Sequence, residues 1–219
     1  MPPPLTTHPK KVQVLIRRLK TPLQVQQWIN SLDYNKENTM HTLDQVVRRG
    51  RAHCLEGVLS AAAILEYHGY PPLILDLEST DLLDHTLFLY KHKGKYGAVG
   101  QSRDIGLDGR MPVYPTILSL VKSYAAPYID EKACLKKYGL LDLSGAAGPG
   151  SAGRTLARQT WRTSKKSVWY VEEALRNIPH KKLALSPAYV KFWRQRFIEF
   201  KKKNLGKQPD YFPQQENWM

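Results

Sequence analysis

The sequence predicts an α+β fold in which a buried helix packs against an antiparallel sheet. The run from Cys54 to Gly69 is rich in Ala and Leu and is apolar on nearly every side, as in a central helix. A short apolar segment at 73–77 follows, typical of an interior strand. Residues 85–100 then form two strand-like segments joined by a tight turn at Gly94, which predicts a hairpin.

Two shorter helices are predicted before the central one. Thr21 and Pro22 supply an N-cap and a proline at the first helical position, which predicts a helix over 22–32. Thr42 and Gln45 have the spacing of a capping box, and the helix they open is expected to end at Gly50. The polar residues 33–38 between these helices indicate a turn, and residues 76–84 indicate a loop.

The chain is expected to divide into a core over 1–140, a linker over 141–157 and an extension over 158–219. Residues 116–129 can hold one more core helix, and the composition of the linker is rich in Gly, Ala and Ser. The extension is basic and rich in aromatic residues. A helix is predicted there after Ser186, with its aromatic residues at helical spacing, so we expect the extension to be helical and to pack on the core.

Charge and cysteine content narrow the choice of partners and compartment. The chain of 219 residues has a formal net charge of +14, which predicts attraction to anionic partners, nucleic acid among them. The two cysteines lie in unlike contexts and predict no disulfide. There is no apolar run of about 18 residues and no secretory apolar region, so a cytoplasmic protein without a membrane span is expected.

Cys54 is the residue most suggestive of chemistry. It lies at the predicted start of the central helix, where free N–H groups stabilise a thiolate and an adjacent oxyanion. His85 opens the first strand of the hairpin and is placed to accept the thiol proton. Arg51 and His53 lie beside the thiol and are candidates for binding a substrate. Cys and His residues lack the spacing of a zinc site, so no metal or other cofactor is predicted.

The third member of such a site is sought from the hairpin register. If the turn pairs His92 with Lys95, Ser102 lies opposite His85, and Asp104 follows two residues later on the same face. A carboxylate there would hold the imidazole tautomer and stabilise the imidazolium. Asp104 is therefore the predicted orienting residue, and Ser102 is the alternative.

Two stretches together resemble the core of the transglutaminase-like superfamily, which has a papain-like Cys-His-Asp site. They are RRGRAHCLEGVLSAAAILEYHGYPPLILDL and DHTLFLYKHKGKYGAVGQS, and the resemblance covers about residues 40–115. Within the superfamily the chain is similar to a bacterial subgroup with related AHC, DDH-like and DPVY-like blocks. The resemblance implies Cys54 as nucleophile and His85 as base. The position of the family aspartate is filled here by Gly100, Gln101 or Ser102, so Asp104 comes late.

Two functions follow as expectations. The first is a cysteine-dependent acyl transferase, or an amide or peptide hydrolase, that acts on a protein or peptide through a thioester. The second is a degenerate transglutaminase-like module that binds nucleic acid or an acidic partner through its basic surface. The aromatic face of the predicted helix at 187–204 suits base stacking, but the same spacing is typical of packing.

Overall fold

The fold is mixed α+β, as predicted, with a six-stranded antiparallel sheet. The computed structural model describes residues 1–145, 160–212 and 217–219. Across these residues the α-helices are α1 Lys10–Arg18, α2 Pro22–Asn30, α3 Leu43–Arg49, α4 Cys54–Glu66, α5 Ile117–Ser123, α6 Tyr170–Arg176 and α7 Pro187–Lys203. The strands are β1 Asp33–Tyr34, β2 Arg51–Ala52, β3 Leu73–Ser79, β4 His85–His92, β5 Lys95–Val99, β6 Arg110–Tyr114, β7 Leu135–Asp142 and β8 His180–Lys182.

The main sheet has the strand order β6-β5-β4-β3-β7-β8, and every neighbouring pair is antiparallel. The predicted hairpin is confirmed, because His92 lies opposite Lys95 and Gly94 takes a positive φ of 80° in the turn. Pairing between β4 and β5 ends at Phe88 opposite Val99. Residues 100–109 therefore leave the ladder, and the predicted pairing of Ser102 with His85 does not form.

The capping signals before the central helix are confirmed. The Thr21 side chain accepts a hydrogen bond from the Gln24 backbone N–H at 3.3 Å at the start of α2. At the start of α3, the Thr42 N–H donates to the Gln45 side chain at 3.1 Å. Gly50 ends α3 with a φ of 71°, which an L side chain rarely adopts.

Several segments differ from the prediction. Residues 33–34 form β1, which pairs in parallel with β2 instead of remaining a turn. β3 continues to Ser79, into the predicted loop, because β7 and β4 pair along its two sides. β7 extends to Asp142, so the predicted linker begins within a strand, while its residues 146–157 lie outside the described residues. The extension contributes a strand, β8, as well as helices.

The two faces of the sheet carry different parts of the core. The face that holds Ile74 and Phe88 packs in one buried cluster with α4, and Leu75 and Leu87 belong to a second cluster with α5. Residues of the extension join the α4 cluster, namely Trp161, Val168, Val171, Ala174 and Leu175. The Arg162 guanidinium adds a buried ion pair to Glu66 of α4, with two N···O contacts of 2.6 Å.

Helix α7 has no buried residue in spite of its aromatic stripe. Trp193 of this helix stacks on Tyr211 at 6.2 Å between ring centroids, and Phe200 meets the same ring edge-on at 5.3 Å. Part of the stripe is therefore covered by the following segment, as a packing role requires. In the described part of the chain, no helix has both the length and the apolar character needed to cross a membrane.

Candidate active site

Cys54 is held at the first position of α4 by a network under the helix start. Glu56, which is fully buried, accepts hydrogen bonds from the Asn35 side chain at 2.9 Å, the Thr39 hydroxyl at 2.8 Å and the His41 N–H at 2.9 Å. It also accepts from the His53 N–H at 3.2 Å. This carboxylate satisfies donors that would otherwise be orphaned, and it fixes the direction in which the Cys54 thiol leaves the helix.

His85 lies at the first position of β4, with 4% of its surface exposed. Its Nε2 is 2.8 Å from the carbonyl oxygen of Leu107. A carbonyl only accepts, so Nε2 carries a proton and Nδ1 is left for the thiol of Cys54, with which His85 shares a hydrogen bond. Cys54 and His85 are thus brought together, and a backbone carbonyl fixes the tautomer.

His53, the residue before the thiol, repeats the same arrangement from the other side. Its Nε2 is 2.7 Å from the carbonyl oxygen of Thr39, and its side chain also shares a hydrogen bond with Cys54. Burial lowers the pKa of His53, but the hydrogen bond to Cys54 and the charge of Glu56 outweigh it, so the pKa is raised above its ordinary value. Two imidazoles therefore flank one sulfur.

The environment favours the thiolate. Burial raises the pKa of Cys54, but the hydrogen bonds from His53 and His85 and the charges of both imidazoles lower it to about 5. An ordinary thiol has a pKa of about 8.5. At neutral pH the sulfur is therefore a thiolate, the reactive form of a cysteine nucleophile.

Tyr34 adds a polar side chain beside the backbone of Cys54. Strand β1 pairs Tyr34 with Ala52, two residues before Cys54. Burial and the charge of Cys54 raise the pKa of Tyr34, while a hydrogen bond from the Cys54 backbone opposes that rise. The phenol hydroxyl consequently lies at the amide of the nucleophile, where an oxyanion would form.

The predicted orienting residues Asp104 and Ser102 line a cleft together with Cys54 and His85, but His85 Nε2 is bonded to the Leu107 carbonyl and not to them. Asp104 is exposed, with its carboxylate 3.6 Å from the Arg103 guanidinium, and its N–H donates to the Ser102 hydroxyl at 3.0 Å. Gln101 is buried, and its amide donates to the Leu32 carbonyl at 3.1 Å. The hairpin ladder ends before these residues, so the expected position opposite His85 is filled by the Leu107 carbonyl.

A different carboxylate, that of Asp108, is influenced by the charge of His85. Burial raises the pKa of Asp108, and a hydrogen bond from the Ser102 N–H at 3.1 Å and the charge of His85 oppose this. Arg51, predicted to bind substrate, is paired with Glu37 at 2.8 Å. It does not line either of the two clefts described next.

Cys54 lies between two clefts. The first has a volume of about 570 Å³ and holds His85 and Leu107, with walls that include Tyr128 and Phe212. Its lining contains four aspartates and only two basic side chains of Lys or Arg. These residues are Asp81, Asp84, Asp104, Asp130, Arg103 and Lys201. The second cleft has a volume of about 550 Å³ and reaches His53, Asp76, Glu78 and Thr86. Cys54 thus shares the first cleft with His85 and the second cleft with His53.

No protein-family model and no curated protein matches this chain. Its function is therefore inferred from the arrangement of side chains around Cys54.

Proposed function

We propose that the protein is a cysteine-dependent acyl transferase or amide hydrolase that works through Cys54 and His85. The observation that carries the proposal is the thiol of Cys54, at the first turn of a buried helix and hydrogen-bonded by two imidazoles, with a pKa lowered to about 5. A structural cysteine has no need of such surroundings, because a neutral thiol packs as a small apolar group. The transglutaminase-like resemblance of residues 40–115 supports the same chemistry.

The reaction begins with attack of the Cys54 thiolate on an amide or ester carbonyl carbon, which forms a C–S bond and an oxyanion. Collapse of this intermediate expels the leaving group, and the His85 imidazolium gives it the proton that came from the thiol. The product is a thioester on Cys54. An amine or a water molecule then attacks the thioester, transfers its proton to the neutral imidazole, and releases the sulfur as thiolate.

The oxyanion would be stabilised by the hydroxyl of Tyr34, whose oxygen accepts a hydrogen bond from the Cys54 backbone N–H and whose own hydrogen is left to donate. Donors fixed in a water-poor site before the reaction are worth about 2.7–4 kcal/mol of barrier each in comparable enzymes. The Leu107 carbonyl would keep the proton on His85 Nε2 throughout, so that Nδ1 exchanges the reacting proton.

The two cysteines are free in the structure, and thiolate chemistry requires that Cys54 stay reduced. We therefore also propose that the protein works in a reducing compartment such as the cytoplasm.

The proposal is tested with p-nitrophenyl acetate, an activated ester that needs no specific binding. The Cys134→Ser variant should release one equivalent of p-nitrophenolate in a burst and gain one acetyl group by mass spectrometry. The Cys54→Ala variant should show no burst. Peptide mapping should place the acetyl group on Cys54, and a wild-type protein without a burst at neutral pH would overturn the proposal.

A further inference from the structure

We propose that Asp76, Glu78 and His180 form a binding site for a divalent transition-metal cation at the edge of the second cleft, which Asp76 and Glu78 line. Asp76 and Glu78 are two residues apart on β3 and therefore point to the same face of the sheet. His180 comes from β8, which lies beyond β7. Ligand atoms of the three side chains all lie within 4.8 Å of one another.

The hydrogen bonding of His180 leaves Nε2 for a cation. Nδ1 is 2.9 Å from the Ile178 carbonyl oxygen, so it carries a proton and donates it there. Nε2 faces Asp76 Oδ2 at 2.9 Å and Glu78 Oε1 at 3.3 Å. A neutral imidazole would point its lone pair at two carboxylates. Metal-bound histidines characteristically donate their other N–H to a carbonyl in this way.

The distances from His180 Nε2 to the two carboxylates are compatible with a bound metal ion as well as with a proton on Nε2. Ligand atoms about 2.1 Å from one cation lie about 3.0 Å apart at a right angle and about 3.4 Å apart at the tetrahedral angle. The two Nε2···O distances, 2.9 and 3.3 Å, are close to these values. An ion would therefore fit with small movements of the carboxylates.

Gly139 allows His180 to reach across the intervening strand. It pairs with Asp76 on one side and with His180 on the other. A Cβ at this position would lie 2.8 Å from the His180 ring and 2.8 Å from Ile178. Because Gly139 has no side chain, the His180 imidazole can lie across β7 and contact Asp76 on β3.

Thr86 supplies an independent sign that the cluster has room for a ligand. It lies directly opposite Asp76 on β4, and 6% of its surface is exposed. Among the described residues, its Oγ1 has no hydrogen-bond partner. Thr86, Asp76 and Glu78 all line the second cleft, so a ligand has an entry path and this hydroxyl faces it. Buried hydroxyls seldom remain unpaired without such a reason.

The ligand set indicates the class of cation. One imidazole and two carboxylates suit Mn²⁺, Fe²⁺ or Zn²⁺ better than Ca²⁺ or Mg²⁺, because Ca²⁺ and Mg²⁺ prefer sites that contain only oxygen ligands. Lys136 and Lys137 approach only Glu78 Oε2, at 3.8 and 3.3 Å, and leave Oε1 facing the cluster.

The experiment titrates the chelator-treated full chain with Mn²⁺, followed by the loss of the free-ion signal in electron paramagnetic resonance, and with Zn²⁺ by calorimetry. We expect one site with a Kd below about 100 µM. His180→Ala and the isosteric Asp76→Asn should each weaken binding at least about tenfold. Thr86→Val should weaken it less, because a hydroxyl is a supporting ligand. Circular dichroism shows whether each variant is folded.

Two control variants make the result specific. Asp44→Asn alters another carboxylate–histidine pair, with His8 at 2.6 Å, and should leave binding unchanged. Cys54→Ala should also leave it unchanged, which separates this site from thiolate capture of Zn²⁺ and from the proposed acyl transfer. Absence of Mn²⁺ and Zn²⁺ binding by wild type, or binding lost in Cys54→Ala but kept in Asp76→Asn, would overturn the proposal.

Discussion

At the scale of single residues, the site consists of a thiol between two imidazoles, each oriented by a backbone carbonyl. The carbonyls of Thr39 and Leu107 hold Nε2 of His53 and His85, so both rings present Nδ1 to Cys54. The sulfur thus has two potential proton partners. The ring that lies in the first cleft, His85, is the one that can also reach a leaving group.

The lowered pKa of the Cys54 thiol predicts how its alkylation rate depends on pH. Only the thiolate is alkylated by iodoacetamide, so in the Cys134→Ser background the rate should rise with pH around a midpoint of about 5 and be level near neutrality. His53→Ala and His85→Ala should each move the midpoint upwards, towards about 8.5, because each removes a hydrogen bond and a positive charge. The measurement is the pseudo-first-order alkylation rate from pH 4 to 10.

Comparison of the two variants assigns the roles of the imidazoles. With phenyl acetate, whose more basic phenolate leaves poorly unless it is protonated, His53→Ala should keep part of the burst, whereas His85→Ala should lose it, since only His85 protonates the leaving group in the proposed mechanism. A midpoint near 8.5 in the unaltered protein would show that the imidazoles do not stabilise the thiolate. Equal bursts in the two variants would contradict the assigned division of roles.

The sequence allowed Cys54 and His85 to be placed together, because a helix start and the first residue of a hairpin strand are both readable from local patterns. The orienting group could not be predicted in the same way. Every residue has a backbone carbonyl, so Leu107 carries no signal in the sequence. The adjacency of His53 to Cys54 was the available clue to its role, but it was interpreted as substrate binding.

At the scale of elements, short strands carry much of the positioning. β1 and β2 have two residues each, yet they bring Tyr34 to Cys54. β8 has three residues and brings His180 across β7 to β3. Such strands are too short for an alternating pattern to be recognised, which is why residues 33–34 and 180–182 were not predicted as strands. Longer elements that have caps or a tight turn, such as α2 and the β4–β5 hairpin, were predicted correctly from the sequence.

Two glycine substitutions test the packing of elements. Gly139→Ala should lower the free energy of unfolding by about 1–3 kcal/mol, because the new methyl group would overlap His180 and Ile178. Gly57→Ala is the matched control within α4, where the nearest atoms to an added Cβ are 3.8 Å away. It should raise stability by about 0.5–1 kcal/mol, since alanine favours the helix. Urea unfolding measures both, and a neutral Gly139→Ala would show that β8 can shift without cost.

At the scale of the whole molecule, the segment after residue 160 is joined to the central helix α4 by a buried ion pair. Arg162 and Glu66 have side chains that are 1% and 7% exposed, and the guanidinium lies over the Trp161 ring at 4.1 Å. Arg162→Ala would leave the Glu66 carboxylate buried without this partner. We expect a loss of about 3–5 kcal/mol in the free energy of unfolding.

Arg176→Ala provides the comparison, because Arg176 pairs with Glu172 one turn away on α6 while its side chain is 76% exposed. Its removal should change stability by less than about 0.5 kcal/mol. Equal effects of the two substitutions in urea unfolding would show that residues 160–162 are not tied to α4 through this pair.

Charge is distributed unevenly between the surface and the first cleft. The chain carries a net charge of +14, yet Asp81, Asp84, Asp104 and Asp130 outnumber the two cations in this cleft. The excess of basic residues over the whole chain therefore does not extend to the cleft beside the thiol, where acidic side chains predominate. An acidic substrate is therefore disfavoured there, and a group with a positive charge is favoured.

The acceptor of the acyl group should show this preference. Acetyl-Cys54, formed with p-nitrophenyl acetate, should be aminolysed up to about fivefold faster by 1,5-diaminopentane than by 5-aminopentanol at equal concentrations of the unprotonated attacking amine. The second ammonium of the diamine is attracted by the aspartates, whereas the alcohol is not. The difference should shrink as NaCl is added, because salt screens these exposed charges. Asp104→Asn, which removes an exposed carboxylate outside the His85 hydrogen bonds, should reduce it too. Equal rates at low salt, with the ester burst intact, would show that the charge of this cleft does not select the acceptor.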